Sequence, residues 1–194
     1  ARQAGLRVEE LGPEGPRDLA IFQELSNISQ HWLAAKGKPE LDFMIGEIGS
    51  PNDTLRRIFL VRDATEQPVG FITYVPVWGE RPGYLHDLTR RLPTAPVGAM
   101  ELCNAYALER MRSEGVAYLH FGFTPFIVNG EELPQASKVM AWLVRMLYRH
   151  GSLIYPAQSQ AHYKLKWGTD ILEQEYIAGF PLSLRAAFDL LRVT

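Results

Sequence analysis

The chain has 194 residues, of which 46% are hydrophobic, enough to build a sizeable core in one ordinary domain. Its formal net charge of -2 does not indicate a chain-wide affinity for polyanions, although a local basic patch could still bind a nucleic acid or an anionic lipid. The single cysteine, Cys103, excludes an intramolecular disulfide and any metal site built from several cysteines, and no apolar run of about 18 residues predicts a membrane-spanning helix. We expect residues 1–194 to form one domain, which could belong to a longer chain.

Short apolar runs predict the strands. Weak alternation over residues 6–11 predicts a first strand, and the runs 58–61 and 69–75, separated by a polar turn, predict a β-hairpin. Further strands are expected at 84–88 and 116–121. Because a helix separates the last two strands, they should be parallel and joined by a right-handed crossover.

Helical spacing of apolar residues predicts three main helices. The first runs from Asp18 to the stop signals Gly37 and Pro39, and the second ends at Gly115. The predicted core stripe of the second helix comprises Ala99, Leu102, Cys103, Tyr106 and Ala107. The third helix ends at Gly151, and its predicted face comprises Val139, Leu143, Met146, Leu147 and His150.

Smaller elements complete the predicted order. Residues 50–53 indicate a cap before a short helical turn through Leu55 and Arg57. A strand at 153–155, an edge strand at 173–177 and a final helix that includes Leu184 are expected near the end of the chain.

The stretch from Tyr84 to Glu101 concentrates ionisable residues where a strand passes into a helix. Asp87 and Arg90 lie at the strand end, and a proline-rich loop then leads through Gly98 into the helix. Backbone N–H groups and the positive dipole end of that helix, beside an arginine, suit a phosphate, a carboxylate or the oxyanion of acyl transfer. The alternative is that Asp87 and Arg90 form a structural salt bridge while the loop residues only shape a turn.

Two histidines, His86 and His120, lie in predicted strands. Imidazole titrates near neutral pH, so His86 could act as a general base. Neighbouring side chains of a strand point to opposite faces, however, so a histidine at this position more often faces the other side of the sheet. The five histidines lie singly, without metal-ligand spacing, and do not predict a zinc site.

The segment 155–167 contains three aromatic residues, two lysines, two amides and a histidine. Lysines interleaved with aromatic rings can hold a phosphate backbone and stack a base, as binding of an RNA end requires. The alternative is a helix in which Tyr163 and Trp167 are buried while Lys164 and Lys166 are solvated. Both descriptions can be true of the same helix.

Common catalytic motifs are absent, since the chain has no Walker loop, no G-x-G-x-x-G, no G-x-S-x-G elbow and no H-E-x-x-H.

The order of its strands and helices resembles the GNAT acyltransferase fold. That resemblance implies an α/β architecture with a GNAT-like mixed, mostly antiparallel central sheet, flanking helices and one parallel strand-helix-strand unit. The coenzyme A loop of that family, Arg/Gln-x-x-Gly-x-Gly/Ala, is absent in strict form, and residues 91–99 form a proline-rich loop with one glycine instead.

Three spaced blocks resemble the C-terminal catalytic domain of the phosphatidylglycerol lysyltransferase and alanyltransferase family, over about residues 26–177. The family's D-L-M-R and P-x-x-P/A-x-G-x-M-D/E are similar to Asp87-Leu88-Thr89-Arg90 followed by Pro93, Pro96, Gly98, Met100 and Glu101. Its closing motif, Y-N-F-Q-G-L-R-x-F/Y-K-x-K-F, has the spacing of Tyr155, Gln158, Tyr163, Lys164, Lys166 and Trp167. Its S-x-x-W-L segment resembles Ser29-x-x-Trp32-Leu33.

The resemblance implies an acyltransferase that moves an aminoacyl group from a charged tRNA to a lipid or small-molecule hydroxyl or amine. Aminoacyl-tRNA would be a co-substrate, and no bound cofactor is implied. The implied catalytic residues are Asp87, which would hold the α-ammonium of the donor, Arg90, which would stabilise an anion or oxyanion, and Lys166.

The same resemblance implies a surrounding set of binding residues. Glu101 would orient Arg90 or border the pocket. Lys164, together with Lys166, would meet acceptor-stem phosphates of tRNA or a lipid headgroup. The remaining implied substrate-binding residues are Gly98, Tyr155, Gln158 and Tyr163.

Two other functions fit the same sequence. An acyl-CoA could be the donor, with loop 93–99 and the following helix start holding its pyrophosphate. A non-catalytic GNAT-like half could instead dock against another domain or a membrane. A second GNAT-like domain or a second copy of the chain is a conceivable partner, and the expected location is cytoplasmic, with peripheral contact to the inner face of the membrane.

Overall fold

The computed structural model describes residues 5–11, 18–36, 48–124, 136–150, 157–174 and 185. The chain divides into two compact units, residues 1–121 with 188–194, and residues 122–187. The described elements, in chain order, are β1 Arg7–Glu10, α1 Leu19–Lys36, β2 Arg57–Arg62, β3 Pro68–Val77, β4 Gly83–Arg91, α2 Ala99–Ser113, β5 Tyr118–His120, α3 Lys138–His150 and α4 Ala157–Leu165.

The first unit is built on a five-stranded sheet in the order β1-β2-β3-β4-β5. Strands β1 to β4 pair antiparallel, including the predicted hairpin β2–β3. Strand β5 pairs parallel with β4, and α2 connects the two. This mixed sheet with its parallel strand-helix-strand unit confirms the predicted GNAT-like α/β class.

Two apolar clusters lie on opposite faces of the sheet, because residues alternate between faces along each strand. Ile58 and Leu60 of β2 face α1, whereas Phe59 and Val61 face α2. Helix α1 begins where predicted, since the Asp18 carboxylate accepts the Ile21 N–H at 2.9 Å as an N-cap. The sheet is therefore covered by one helix on each side.

A charged cluster ties the ends of three elements together on the α2 side. Arg57 of β2 is buried, and its Nε donates to Glu10 Oε1 of β1 at 2.6 Å. Its terminal nitrogens donate to Glu114, just beyond α2, at 2.6 and 3.1 Å. Burial lowers the pKa of Arg57, but hydrogen bonds and charge from the two glutamates outweigh burial and raise it. The two glutamates therefore offset the free-energy cost of burying the charged guanidinium of Arg57.

The structure corrects two predicted elements. No helical turn follows residues 50–53, because Asp53 accepts the Arg56 N–H at 3.2 Å in a turn and β2 already begins at Arg57. The predicted core stripe of α2 is also displaced, since Tyr106 is 39% exposed whereas Met100 and Asn104 are buried.

Helix α3 forms at the predicted position, but the residues predicted for its face are not core residues. Val139, Met146 and His150 are exposed, and no residue of α3 is buried. The strand at 153–155, most of the edge strand at 173–177 and the helix that includes Leu184 lie outside the described residues. Among the described helices, none combines the length and apolar character needed to cross a bilayer.

Candidate active site

A β-bulge in β4 determines where the predicted site residues point. Ile72 pairs with Thr89 and Tyr74 pairs with His86, so the single residue Thr73 faces two residues of β4, Asp87 and Leu88. An extra residue in one strand shifts the alternation of side chains by one position. The bulge thus moves Asp87 to the face on which the side chains of Leu88 and Arg90 lie.

Contacts around the bulge confirm this placement. Leu88 belongs to the apolar cluster beneath α1. Its N–H donates to the hydroxyl of buried Thr73 at 3.1 Å, and that hydroxyl donates to Asp87 Oδ2 at 3.4 Å. Thr73 therefore supplies the acceptor for the Leu88 N–H at the bulge and also holds the Asp87 carboxylate.

Asp87 forms its ion pair with Arg56, in the turn before β2, and not with Arg90, which is the partner that the alternative of a structural salt bridge predicts. Arg56 Nε also donates to Asp53 Oδ2 at 3.1 Å. Burial raises the pKa of the Asp53 carboxyl, but hydrogen bonds and charge from Arg56 outweigh that effect and lower it. The side chains of Arg56 and Asp87 are only 12% and 15% exposed. Sequence reasoning missed Arg56, whose segment gave no signal beyond a turn.

Arg90 is 5% exposed and lies against α1. Its guanidinium carbon is 4.0 Å from the centroid of the Trp32 ring, and its Nε donates to Ser29 Oγ at 3.3 Å. A further N–H donates to the Thr89 carbonyl at 3.3 Å. Two of the sequence blocks, Ser29-x-x-Trp32 and Asp87-x-x-Arg90, therefore meet on one face of the sheet.

The loop after β4 leads into α2 through a turn that needs glycine. Gly98 has a φ of 83° and precedes the helix without a side-chain cap, while its carbonyl accepts the Leu102 N–H at 2.9 Å. The first N–H groups of a helix have no intrahelical acceptor and carry its positive dipole end. Glu101 is exposed in this first turn. Since α2 packs on the face opposite the Arg90 side chain, bordering a pocket fits Glu101 better than orienting Arg90.

Strands β4 and β5 separate just before the bulge. Pairing between β4 and β5 ends at Leu85 and His120, while β4 continues to Arg91. Where the two strands do pair, they approach so closely that a Cβ at Gly83 would lie 1.9 Å from the Tyr118 carbonyl oxygen. Among the described strands, none pairs with β4 on this side after Leu85, two residues before Asp87.

The two histidines lie on different faces of the sheet, since His120 is paired with Leu85 on the face that carries Asp87. His86 faces α2, as the strand alternation predicted, and stacks on Tyr74 with 5.3 Å between ring centroids. Its Nε2 lies 2.8 Å from Thr89 Oγ1. His120 Nε2 lies 2.9 Å from the Arg81 carbonyl oxygen. Both rings therefore have structural contacts.

In the second unit, α4 carries most of the closing block. Lys164 Nζ donates to the carbonyls of Gly122 and Phe123 at 3.2 and 2.8 Å, and burial lowers its pKa to about 8. Lys166 is exposed, with Nζ 4.4 Å from the centroid of the Tyr163 ring. Lys166 is therefore the exposed lysine of the two, whereas Lys164 donates to backbone carbonyls of the same unit.

The remaining residues of this block support the helix. Tyr163 meets Trp167 edge to face at 6.2 Å, as expected from their i, i+4 spacing. Gln158 is exposed and donates to the Tyr148 carbonyl at 3.1 Å. Tyr155 lies outside the described residues.

The candidate site residues fall into two groups. Asp87 and Arg90 lie on one face of the sheet in the first unit. Gln158, Tyr163 and Lys164 lie on α4 in the second unit, and Lys166 follows the end of that helix. Within the described part of the chain, no group of three or more His, Cys, Asp or Glu residues could hold a metal ion.

Comparison with known proteins gives one family. The model of the family "Phosphatidylglycerol lysyltransferase, C-terminal" matches residues 1–179. The lysylphosphatidylglycerol biosynthesis bifunctional protein LysX of Mycobacterium marinum is 24% identical over 172 residues, and that of Mycobacterium ulcerans is 25% identical over 174. Each match covers 86% of this chain, which spans only 15% of the length of these curated relatives.

Two solved structures share the fold. The structure of L-PGS from Bacillus licheniformis matches 74% of this chain and 42% of its own, with a TM-score of 0.58 and 20% identity. The C-terminal domain (DUF2156) of a protein described as a lysylphosphatidylglycerol synthetase from Agrobacterium fabrum matches 64% of this chain and 38% of its own, with a TM-score of 0.54 and 22% identity.

Proposed function

The chain belongs to the family of phosphatidylglycerol lysyltransferase C-terminal domains, and from this premise we propose that it transfers an aminoacyl group from a charged tRNA to a lipid acceptor. One observation carries the proposal. The side chains of Asp87 and Arg90, an anion and a cation, lie on one face of the sheet because of the bulge in β4, and Arg90 stacks on Trp32 there. An aminoacyl ester needs both charges, because it brings an α-ammonium and develops an oxyanion during transfer.

Asp87 is the group that would hold the α-ammonium. Both of its described contacts, from Arg56 and Thr73, are made to Oδ2 and fix the carboxylate. A carboxylate can accept about four hydrogen bonds, so Oδ1 is the atom expected to accept from the donor's ammonium. The partial burial of Asp87 strengthens this contact relative to one in bulk water.

Arg90 would stabilise the oxyanion electrostatically. In the transfer, the acceptor oxygen bonds to the carbonyl carbon of the donor, and the bond from that carbon to the ribose oxygen breaks. The acceptor's proton passes to the ribose oxygen, so atoms and charge balance without a covalent enzyme intermediate. The ester is already activated, and the enzyme mainly aligns the acceptor and offsets the developing charge. Burial against Trp32 keeps the guanidinium rigid for this role.

The proposal is tested with the purified chain, labelled aminoacyl-tRNAs and vesicles that contain phosphatidylglycerol. We expect label in the lipid fraction, and a loss of about 100-fold or more in Arg90→Lys, the size typical for removal of an oxyanion contact. Arg112→Lys, at an exposed position near the end of α2, is the matched control and should keep activity. Asp87→Asn removes the charge at nearly constant shape and should raise the KM for the charged tRNA.

Other outcomes would redirect or overturn the proposal. Label in water-soluble products would indicate a small-molecule acceptor with the same donor. Equal rates for Arg90→Lys and the native chain would remove Arg90 from the reaction. If folded Asp87→Asn and Arg90→Ala variants keep the chain's cellular effect, a non-catalytic docking role is the better description.

An acyl-CoA donor is the second candidate, favoured by the entry to α2. Gly98 opens that helix without a side-chain cap, and backbone N–H groups at such a positive dipole end suit a pyrophosphate. Isothermal calorimetry with acetyl-CoA distinguishes the two donors. Micromolar binding together with no transfer from charged tRNA would establish the acyl-CoA alternative.

A further inference from the structure

Helix α3 exposes a face that combines large apolar and cationic side chains. Its apolar members are Val139, Trp142 and Met146, which are 62%, 60% and 38% exposed. These residues follow helical spacing, so they form one stripe along the helix. Large apolar side chains grouped in one stripe are normally buried, so this face is a candidate docking surface.

The basic residues of α3 flank this stripe. Lys138, Arg145, Arg149 and His150 are exposed, and the helix Lys138–His150 contains no acidic residue. Arg145, Arg149 and His150 line a shallow hollow of about 240 Å³ together with Trp142 and Met146. The chain as a whole is slightly acidic, so this concentration of positive charge is local.

We propose that this α3 face, formed by Val139, Trp142, Met146 and the four basic residues Lys138, Arg145, Arg149 and His150, docks onto an anionic lipid bilayer. Amphipathic helices with a basic polar side and an exposed tryptophan lie in the interface, with the apolar side chains among the acyl chains. Tryptophan favours the headgroup level, and each lysine or arginine near the surface gains from the negative potential.

Two other occupants fit this surface less well. A second copy in a two-fold contact would set the same cations against one another without an acidic counterpart on the helix. A single-stranded nucleic acid would use the cations and Trp142, but Val139 and Met146 offer no ring for stacking bases. A bilayer uses all members of the face at once.

The inference deepens the proposed function, because a lipid acceptor has to be reached at a membrane. Its test needs no charged tRNA and no turnover, so vesicle binding can fail while transfer succeeds, or the reverse. The chain is mixed with vesicles of phosphatidylglycerol and phosphatidylcholine, or of phosphatidylcholine alone, and bound protein is measured by sedimentation. We expect binding only to the anionic vesicles, and weaker binding as salt increases.

Two matched pairs of variants test the face itself. Arg149→Glu changes the net charge by two units, and at about fivefold per unit it should weaken partitioning into the vesicles by roughly 25-fold. Arg112→Glu makes the same change at an exposed position outside the face and should have little effect. Trp142→Phe should abolish the blue shift of tryptophan emission on binding. Trp78→Phe, at a position that is 76% exposed, should retain that shift.

Equal binding of Arg149→Glu and Arg112→Glu would overturn the proposal, as would a blue shift retained in Trp142→Phe. Binding to single-stranded RNA that needs Arg149, without binding to vesicles, would overturn it in favour of a nucleic acid. A dimer in sedimentation velocity that Trp142→Phe dissociates would overturn it in favour of self-association.

Discussion

The guanidinium of Arg90 lies over the ring of Trp32, with 4.0 Å from its central carbon to the ring centroid. The two residues come from β4 and α1, which are far apart in sequence. A cation over an aromatic ring contributes about 0.5–2 kcal/mol, with the larger values in desolvated places. Arg90 is 5% exposed, so its contact with Trp32 belongs to the desolvated class.

A double-mutant cycle measures this contact. Arg90→Leu, Trp32→Leu and the double variant should reveal a coupling of about 1–2 kcal/mol in the free energy of unfolding, followed by urea titration. Trp78→Leu is the control for loss of a tryptophan, and its exposed site should give a change within about 0.5 kcal/mol. Additive single effects at positions 32 and 90 would contradict the contact.

The bulge depends on the Thr73 hydroxyl, which accepts the Leu88 N–H and holds Asp87. Thr73→Val keeps the shape of the side chain but leaves the buried Leu88 N–H without this acceptor, which should cost about 1–3 kcal/mol of stability. It should also lower transfer activity, because Asp87 loses one of its two described contacts. Unfolding by urea and the transfer assay measure the two effects.

Thr73→Ser is the control for this prediction, since it retains the hydroxyl while losing a methyl group. Its activity should remain close to that of the native chain. If Thr73→Val and Thr73→Ser behave alike in transfer, the hydroxyl does not position Asp87.

The sheet was predictable because its signals are local. Apolar runs at 58–61 and 69–75 with a polar turn between them specify a hairpin, and a helix between two later strands specifies the parallel pair. The GNAT-like class follows from that order. The block containing Asp87 and Arg90 was likewise predictable as a candidate site from its position between strand and helix.

The missed features depend on distant residues. The bulge at Asp87 and Leu88 is stabilised by Thr73 on the neighbouring strand, and no glycine in β4 after Gly83 marks it. Arg56 reaches Asp87 across 31 positions of sequence, so neither spacing nor composition could pair them. Helix α3 is a third case, because periodicity identifies an apolar stripe but not whether that stripe meets the chain's own core or a partner.

The pair of Asp53 and Arg56 should make stability depend on pH. The pKa of Asp53 in the folded chain is below its ordinary value of 3.8, so its stabilising contribution is present above pH 3.8 and is lost as pH falls through the folded value. Asp53→Asn should therefore be less stable than the native chain at neutral pH. That difference in unfolding free energy should shrink in acid, which urea titrations at several pH values measure.

Arg56→Gln provides the control for this pH dependence, because Arg56 supplies the hydrogen bonds and charge that lower the pKa of Asp53. Arg56→Gln removes the side-chain hydrogen bond and the charge but keeps the backbone N–H donated to Asp53, so Asp53→Asn should show a smaller pH dependence in that background. An undiminished pH dependence without the Arg56 guanidinium would show that this side chain does not lower the pKa of Asp53.

Lys164 should make stability rise with pH as Asp53 does, but at alkaline pH and because burial disfavours its charged form. Burial lowers its pKa from 10.5 to about 8, so between these values the unfolded chain holds a proton that the folded chain has released. The contribution of Lys164 to the free energy of unfolding therefore rises with pH between about 8 and 10.5. Relative to Lys164→Met, which lacks the titrating amine, the native chain should gain stability from about pH 8 to about 10.5, and the difference should be constant below about pH 7.

Lys166→Met is the control for losing a positive charge in this part of the chain. Parallel curves for the native chain and Lys164→Met would mean that the Lys164 amine keeps its ordinary pKa and is solvated, as an anion-binding lysine would be.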